Sequence, residues 1–386
     1  MNLTEPWSKK HKAMVKSASG GLSFSLSNSF AQPLTNPELI QFCKDNNGQS
    51  LVDDFMNHSL EYTPNGGSTD LKIEIAKLYD ENITADNIMV FTGGQVALQT
   101  AAFALAGDCH TIVFTPGYQS TVEAAAHAGG NVTRVQLSPS NGWQINVDDV
   151  LAAIKLNETK YLVINEPYNP AGTLMSKALQ AELVSVCAEH GIRIMSDEVY
   201  RLLEHDPEIR LPSMAEAYEL GISCVTMSKP WGACGVTIGW LAFQDLQIKQ
   251  KLTDAHYFGT ACPARSSEIQ AMMVLRSSEK ILAKNMKIIN ANVCSLSKFV
   301  AKYSEFFSWV KPVAGAIAFI KCEVMTSDEL GKELAARGIG IKPSYCFTDE
   351  VTVDNEGYFR VGFGEEVKFP IALKALEEFV ETVLKK

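Results

Sequence analysis

No stretch of this 386-residue chain stays apolar for the roughly 20 residues that a membrane-spanning helix needs. The opening, Met1-Asn-Leu-Thr-Glu-Pro-Trp-Ser-Lys-Lys-His11, lacks the apolar core of a secretory signal. Neither a membrane span nor that export route is expected. Positive charge is also scarce. Thirty-four Lys and Arg against 44 Asp and Glu leave a formal charge of −10, which argues against nucleic acid or an anionic membrane as partner. The nine cysteines, at 43, 109, 187, 224, 234, 262, 294, 322 and 346, are odd in number, irregularly spaced and free of any C-x-x-C pair. That pattern argues against zinc and against a disulfide framework, and no metal site is expected. Most of these cysteines lie in apolar stretches and read as small buried hydrophobes, as suits a reducing cytoplasm. Internal repeats and low-complexity segments are absent as well.

The chain is too long for one ordinary core, so a large α/β domain with a smaller companion is expected. Residues 1–35 show no strong period and are rich in Ser, Asn and Gly, as in Ser17-Ala-Ser-Gly-Gly21, and read as an arm lying over other parts of the molecule. Residues 36–263 read as the large domain. Within it, seven short runs rich in branched residues alternate with mostly helical segments: Ile88–Thr92, Thr111–Thr115, Val132–Leu137, Tyr161–Asn165, Ile192–Ser196, Cys224–Ser228 and Gly239–Phe243. Such alternation indicates a mainly parallel seven-stranded sheet covered on both faces. Residues 264–386 read as a long bridging helical pattern to about 303, then a small α+β domain. Its strands fall near Ala316–Ile320 and Tyr358–Phe363, and a closing helix starts near Ile371.

Polar constellations stand at the ends of three of those runs: Asn165-Glu-Pro-Tyr-Asn-Pro-Ala-Gly172, Ser196-Asp-Glu-Val-Tyr200 and Thr226-Met-Ser-Lys-Pro-Trp-Gly232. Ligands of open α/β sheets bind beyond the carboxyl ends of the strands, where these residues fall. An Asn, an Asp with a Tyr, and a Lys, delivered in that order, are the parts that hold pyridoxal 5′-phosphate. The Lys amine condenses with the aldehyde, the Asp carboxylate keeps the ring nitrogen protonated, and the Asn and Tyr bind the ring hydroxyl.

On these motifs the chain resembles the class I/II aminotransferase family of pyridoxal-phosphate enzymes (fold type I), along nearly its whole length. The resemblance implies a role for each matching residue. Gly93, Gly94 and Gln95, after the first strand and opening an apolar helix, are similar to the family's phosphate cradle; a plain strand-to-helix turn is the simpler reading of those residues alone. Thr226 and Ser228 would add hydroxyl donors. Tyr118 matches the aromatic that stacks on the ring, Asn169 and Tyr200 the hydroxyl partners, Asp197 the ring-nitrogen partner and Lys229 the lysine joined to the cofactor. Tyr62, in Glu61-Tyr-Thr-Pro, resembles the Tyr that members lend across a homodimer interface to the phosphate. Arg360, in Tyr358-Phe-Arg-Val-Gly, matches the residue that grips the substrate α-carboxylate; an Arg on a strand's solvent face is the plainer alternative.

One position departs from the pattern. Family members carry an Arg eight residues after the Lys, as a phosphate ligand, and here that residue is Thr237. A permanent cation is exchanged for a hydroxyl. An enzyme that stores the cofactor as its amine, with no covalent tether, depends on that grip. One that removes or replaces a side-chain group depends on it less. The opening Glu5-Pro-Trp7, with the Ser-rich stretch after it, is similar to that of capreomycidine-synthase-like enzymes, and Glu5 would then bind a guanidinium or shuttle protons. The sequence therefore leads first to a cyclase (lyase chemistry) that removes a hydroxyl from a hydroxylated L-arginine and closes a guanidine ring, as in enduracididine formation. The alternative is an aminotransferase passing an α-amino group from an L-amino acid to a 2-oxo acid.

Overall fold

A computed structural model describes residues 5–17, 24–352 and 355–386. Its centre is a seven-stranded sheet of β1 (Ile88–Phe91), β2 (His110–Thr115), β3 (Asn131–Gln136), β4 (Thr159–Asn165), β5 (Arg193–Asp197), β6 (Gly221–Thr226) and β7 (Gly239–Phe243). The spatial order is β1-β7-β6-β5-β4-β2-β3. Strand β7 runs antiparallel to both its neighbours and every other pairing is parallel, so the sheet is mainly parallel, as the alternation implied. Residues of β5, β6 and β7 are buried almost throughout, because helices cover both faces. Edge strand β3, Asn-Val-Thr-Arg-Val-Gln, is largely accessible, and its polar side chains discourage pairing with another chain. The opposite edge, β1, is buried under the helix Thr69–Ala76.

A second, four-stranded antiparallel sheet has the order β10-β11-β9-β8, from β8 (Phe307–Trp309), β9 (Ile317–Cys322), β10 (Lys342–Pro343) and β11 (Tyr358–Gly362). The overall class is α/β, with the large mainly parallel sheet beside a small antiparallel one.

Several elements differ from the sequence expectation. The periodic stretch 264–303 is two helices, Arg265–Arg276 and Ser278–Lys302, interrupted where Ser277 leaves helical geometry at ψ 9°. The strand expected at Cys224–Ser228 starts earlier and stops at Thr226, since the chain turns there to present Ser228 and Lys229. The closing helix starts at Lys368 rather than near Ile371. The arm, whose sequence shows no strong period, contains a helix, Ser8–Ser17, lying against the helix Ser327–Ala335 and the turn Ser344–Cys346. Its polar sequence conceals the one contact side that matters, where His11 is buried and Lys10 pairs with Asp328 at 2.8 Å. Most of the Ser-rich stretch, residues 18–21, lies outside the described residues. Beyond it, Phe24–Ser25 pairs in parallel with Ile339–Gly340, and the chain then threads between the two sheets.

Candidate active site

Because β1, β4, β5 and β6 all run the same way, their carboxyl ends meet on one edge of the sheet. There they face residues of the second sheet across a cavity of about 440 Å³. Lys229 lines it, and three anchors hold its loop. Trp231 is fully buried and donates from Nε1 to Ser278 Oγ at 2.7 Å. Asn285 Nδ2 donates to the Pro230 carbonyl at 2.9 Å. Ala31 N–H donates to the Lys229 carbonyl at 3.0 Å, and the next contact of that strand demands a glycine: Gly232 has φ +64°, and a side chain there would meet the Gln32 carbonyl at 2.0 Å. The Lys229 ammonium donates to Ser29 Oγ at 3.0 Å. Removal from water, and then the charge of Arg360, lower its pKa to about 8.

Asp197 ends β5 and is 2% exposed. Among the described residues, its carboxylate receives a single hydrogen bond, from Val199 N–H at 3.3 Å, and burial pushes its pKa up to about 7. Asn165, at the end of β4, ties the neighbouring turns together. Its Nδ2 donates to the Asp197 carbonyl and its Oδ1 accepts from Asn169 N–H, both at 2.7 Å. Asn169 Oδ1 in turn accepts from Arg360 Nη1 at 2.9 Å. Tyr200 is buried beside Ser29, and burial raises its pKa. Tyr118 lines the opposite wall and donates from its hydroxyl to Gln95 Oε1 at 3.1 Å.

Arg360 is 3% exposed, which removes the solvent-facing alternative. Its Nη2 donates to the Ser27 carbonyl at 2.9 Å, its guanidinium stands 5.2 Å from the centre of the Phe347 ring, and its Nε is buried without a partner. No carboxylate pairs with it among the described residues. A buried cation left without an anion is costly, and this one borders a cavity, so the arrangement suits an anionic ligand.

At the other end, Gly93 caps the helix Gly94–Leu105 with φ +96° and no side-chain cap, leaving the first-turn N–H groups of that helix for an anion. Thr226 Oγ1 and Ser228 Oγ stand 3.2 Å apart beside it. Thr237 reaches the rim of the same end in the left-handed region, φ 55°, an uncommon state for a β-branched residue.

Two expected residues lie outside this chain's own cavity, and for Tyr62 the expected role in a neighbouring copy requires that. Glu5 is exposed, pairs with Lys9 and does not line the cavity; only its carbonyl, accepting from Gln119 Nε2 at 3.1 Å, ties it to a cavity residue. Tyr62 is 97% exposed, on an open concavity with His58 and Arg265. Conversely, Ser29, Lys342, Cys346 and Phe347 line the cavity without having been anticipated, as do Ser8 and Gln119. No local pattern marks them, because each reaches the cavity through long-range packing.

The donor set fits pyridoxal phosphate. A buried carboxylate with one donor, an amine of lowered pKa, an aromatic wall and an uncapped helix start supply a partner for each of its functional groups. Among the described residues, no cluster of side chains has the make-up of a metal site and no helix is long and apolar enough to cross a membrane.

Comparison with known proteins agrees. The family model for aminotransferase class I and II matches residues 43–376. The aspartate aminotransferase of Pyrococcus abyssi is 29% identical over 223 residues, 56% of this chain and 57% of its own, so the alignment spans little more than half of that relative. The Thermotoga maritima aspartate aminotransferase is 24% identical over 332 residues, 84% of each chain. A pyridoxal-phosphate-dependent aminotransferase from Streptococcus suis superposes with a TM-score of 0.89 at 24% identity, covering 99% of this chain and 98% of its own. The crystal structure of the T. maritima enzyme superposes at 0.83 and 20% identity, covering 98% of each chain. At that identity the superpositions speak for the fold.

Proposed function

Since this chain belongs to the class I and II aminotransferase family, we propose that it is a pyridoxal-phosphate-dependent aminotransferase, moving the α-amino group of an L-amino acid to a 2-oxo acid. The observation that carries the reading is the pairing of Lys229 with the anion-free Arg360 across one cavity: a lowered-pKa amine on one side, a buried guanidinium with an unpartnered Nε on the other. Pyridoxal phosphate, when bound, supplies the electron sink that stabilises the charge left when the substrate loses its Cα proton. The residues of the chain do the rest. Arg360 and Asn169 would hold the α-carboxylate and so orient the substrate in the cavity. Lys229 Nζ takes the Cα proton and returns it. Asp197 would hold a proton at the ring nitrogen, its carboxylate being shielded from competing water. Gly93, Gly94, Gln95, Thr226, Ser228 and Thr237 would hold the phosphate with neutral donors, Tyr118 would lie against the ring, and Tyr200 with Asn169 Nδ2 would take the ring hydroxyl. Tyr62, almost wholly exposed here, completes the site of a second copy in a homodimer. Nine free thiols suit a reducing cytoplasm.

Cyclisation of a hydroxylated arginine takes second place. Thr237 still favours it by weakening the phosphate grip. Against it, Glu5 stands off the cavity, and Asp197 is the single carboxylate among the lining residues, leaving no acid to receive a guanidinium. Incubating the loaded enzyme with a panel of L-amino acids, hydroxyarginines included, with and without a 2-oxo acid, separates the two by mass analysis. Stoichiometric keto-acid formation that requires the 2-oxo acid is expected; loss of water with nitrogen retained and no need of an acceptor overturns the proposal.

A further inference from the structure

The short stretch 27–31 touches both Lys229 and Arg360. The Ser27 carbonyl accepts from Arg360 Nη2 at 2.9 Å, Ser29 Oγ accepts from Lys229 Nζ at 3.0 Å, and Ala31 N–H donates to the Lys229 carbonyl at 3.0 Å. Neighbouring contacts leave this stretch little room to shift. Asn28 Nδ2 donates to Glu365 Oε2 at 2.7 Å, and a side chain at Gly362 or Gly364 would strike the Asn28 or Phe30 carbonyl. Residues 27–31 therefore fix where the Lys229 amine stands relative to the guanidinium.

Among the described residues, Ser29 is the single hydrogen-bond partner of the Lys229 amine; Arg360, Cys234 and Asp197 influence it by charge without bonding to it. The Ser29 hydroxyl also meets the Tyr200 phenol, and that hydrogen bond opposes the effect of burial on the phenol. Accepting from the amine and donating to the phenol uses the hydroxyl in both directions. An N–H tied to Ser29 restricts rotation about the Cε–Nζ bond and so limits where the nitrogen lone pair points. The acceptor is also neutral. A carboxylate in its place would favour the ammonium form, whereas a hydroxyl orients the amine and leaves its pKa low.

We propose that Ser29 is the positioning residue of the Lys229 amine, holding the free nitrogen in the orientation from which it takes and returns the substrate Cα proton. The proposal rests on the aminotransferase reading, in which Lys229 carries that proton. It gives the arm a share in the chemistry, since the same five residues register the amine against Arg360.

Two measurements test it. The first uses cofactor-free protein and follows the rate of pyridoxal-phosphate uptake against pH, whose midpoint reports the Lys229 amine. Ser29→Ala removes an acceptor that favours the ammonium, so the midpoint should move to lower pH. Ser29→Asp supplies a charged acceptor and should move it to higher pH, while Ser29→Thr should leave it in place. Midpoints that stay put in both the Ala and the Asp variants overturn the proposal. The second uses the loaded enzyme and the amino acid of the panel that it turns over fastest, with hydrogen or deuterium at Cα. Ser29→Ala should lower kcat about tenfold, the scale of one hydrogen bond to a charged group, raise the isotope effect on kcat and leave KM unchanged. Ser29→Thr should restore most of the rate. A loss that falls on KM, with an unchanged isotope effect and no rescue by Thr, overturns the proposal, because Ser29 then only supports Arg360 through the arm. Shifted midpoints in a protein without amino transfer instead overturn the aminotransferase reading, and with it the role in proton transfer, while the contact stands.

Discussion

The two ends of the cavity are built by opposite means. Around Gly93–Gln95, Thr226, Ser228 and Thr237 the donors are neutral, main-chain N–H groups at a helix start and hydroxyls. At the end formed by Lys342 and Arg360, beside the neutral amide of Asn169, they are cationic, buried and short of counter-charge. Neutral hydrogen bonds contribute about 0.5–1.5 kcal/mol each and charged ones about 1.5–3 kcal/mol. Fixed neutral donors suit a resident group tethered elsewhere, the role proposed for Lys229. Unpaired cations suit a ligand that must be drawn in from solution and held by a carboxylate. Each end therefore makes its own demands, and variants can tell them apart.

Lys229→Ala removes the group between the two ends. Turnover should fall by at least about 10³-fold, with loss of the absorption band that the cofactor shows near the visible edge when joined to the protein. A variant with full activity removes Lys229 from its role. Asp197→Asn should keep the cofactor bound, as measured by its content after dialysis, and lose roughly 10²–10³-fold in kcat, since a fixed charge beside the reacting system is exchanged for a neutral amide. Arg360→Lys tests the cationic end alone. Without the planar fork, kcat/KM should drop roughly 10–150-fold, mainly through KM, with cofactor retention unchanged. Loss of the cofactor from this variant would break the separation of the two ends.

The lowered pKa of Lys229 has a pH signature. Only the uncharged amine reacts with an aldehyde, and its share grows as pH rises toward about 8. The rate at which cofactor-free protein takes up pyridoxal phosphate should thus climb about tenfold per pH unit below that value and level off above it. A rate still climbing toward pH 10 would show an ordinary lysine. The smallest effect is expected at the neutral end. Thr237→Arg should slow loss of the phosphate-bearing cofactor by roughly tenfold, the low end of a charge-assisted contact, and leave substrate KM unchanged. An unbranched side chain also sits more easily at φ 55° than Thr does. Competition assays with free phosphate measure it.

Much of the site is legible in the order of residues, for a local reason. Strand β5 delivers Asp197, and β6 runs into Ser228 and Lys229, within a few residues of a branched apolar run, so strand and motif are read together. The break at Ser277 and the helix in the arm are not legible in that way. The first needs one residue to leave helical geometry, and the second hides its buried face, His11, among lysines.

By itself the sequence determined the α/β class, the seven strands and the polar residues at their ends that line the cavity, because the alternation of apolar runs and polar strand ends is written over short distances. Tertiary structure alone decided that Arg360 is buried without an acid, that Ser29 meets Lys229 from 200 positions away, that Ser27 meets Arg360 across 333, and that Lys342 faces the cavity while Glu5 does not. Those pairings arise from how the arm threads between two sheets. Contacts made over such separations depend on packing of the whole chain and leave no periodic trace in the residues that make them.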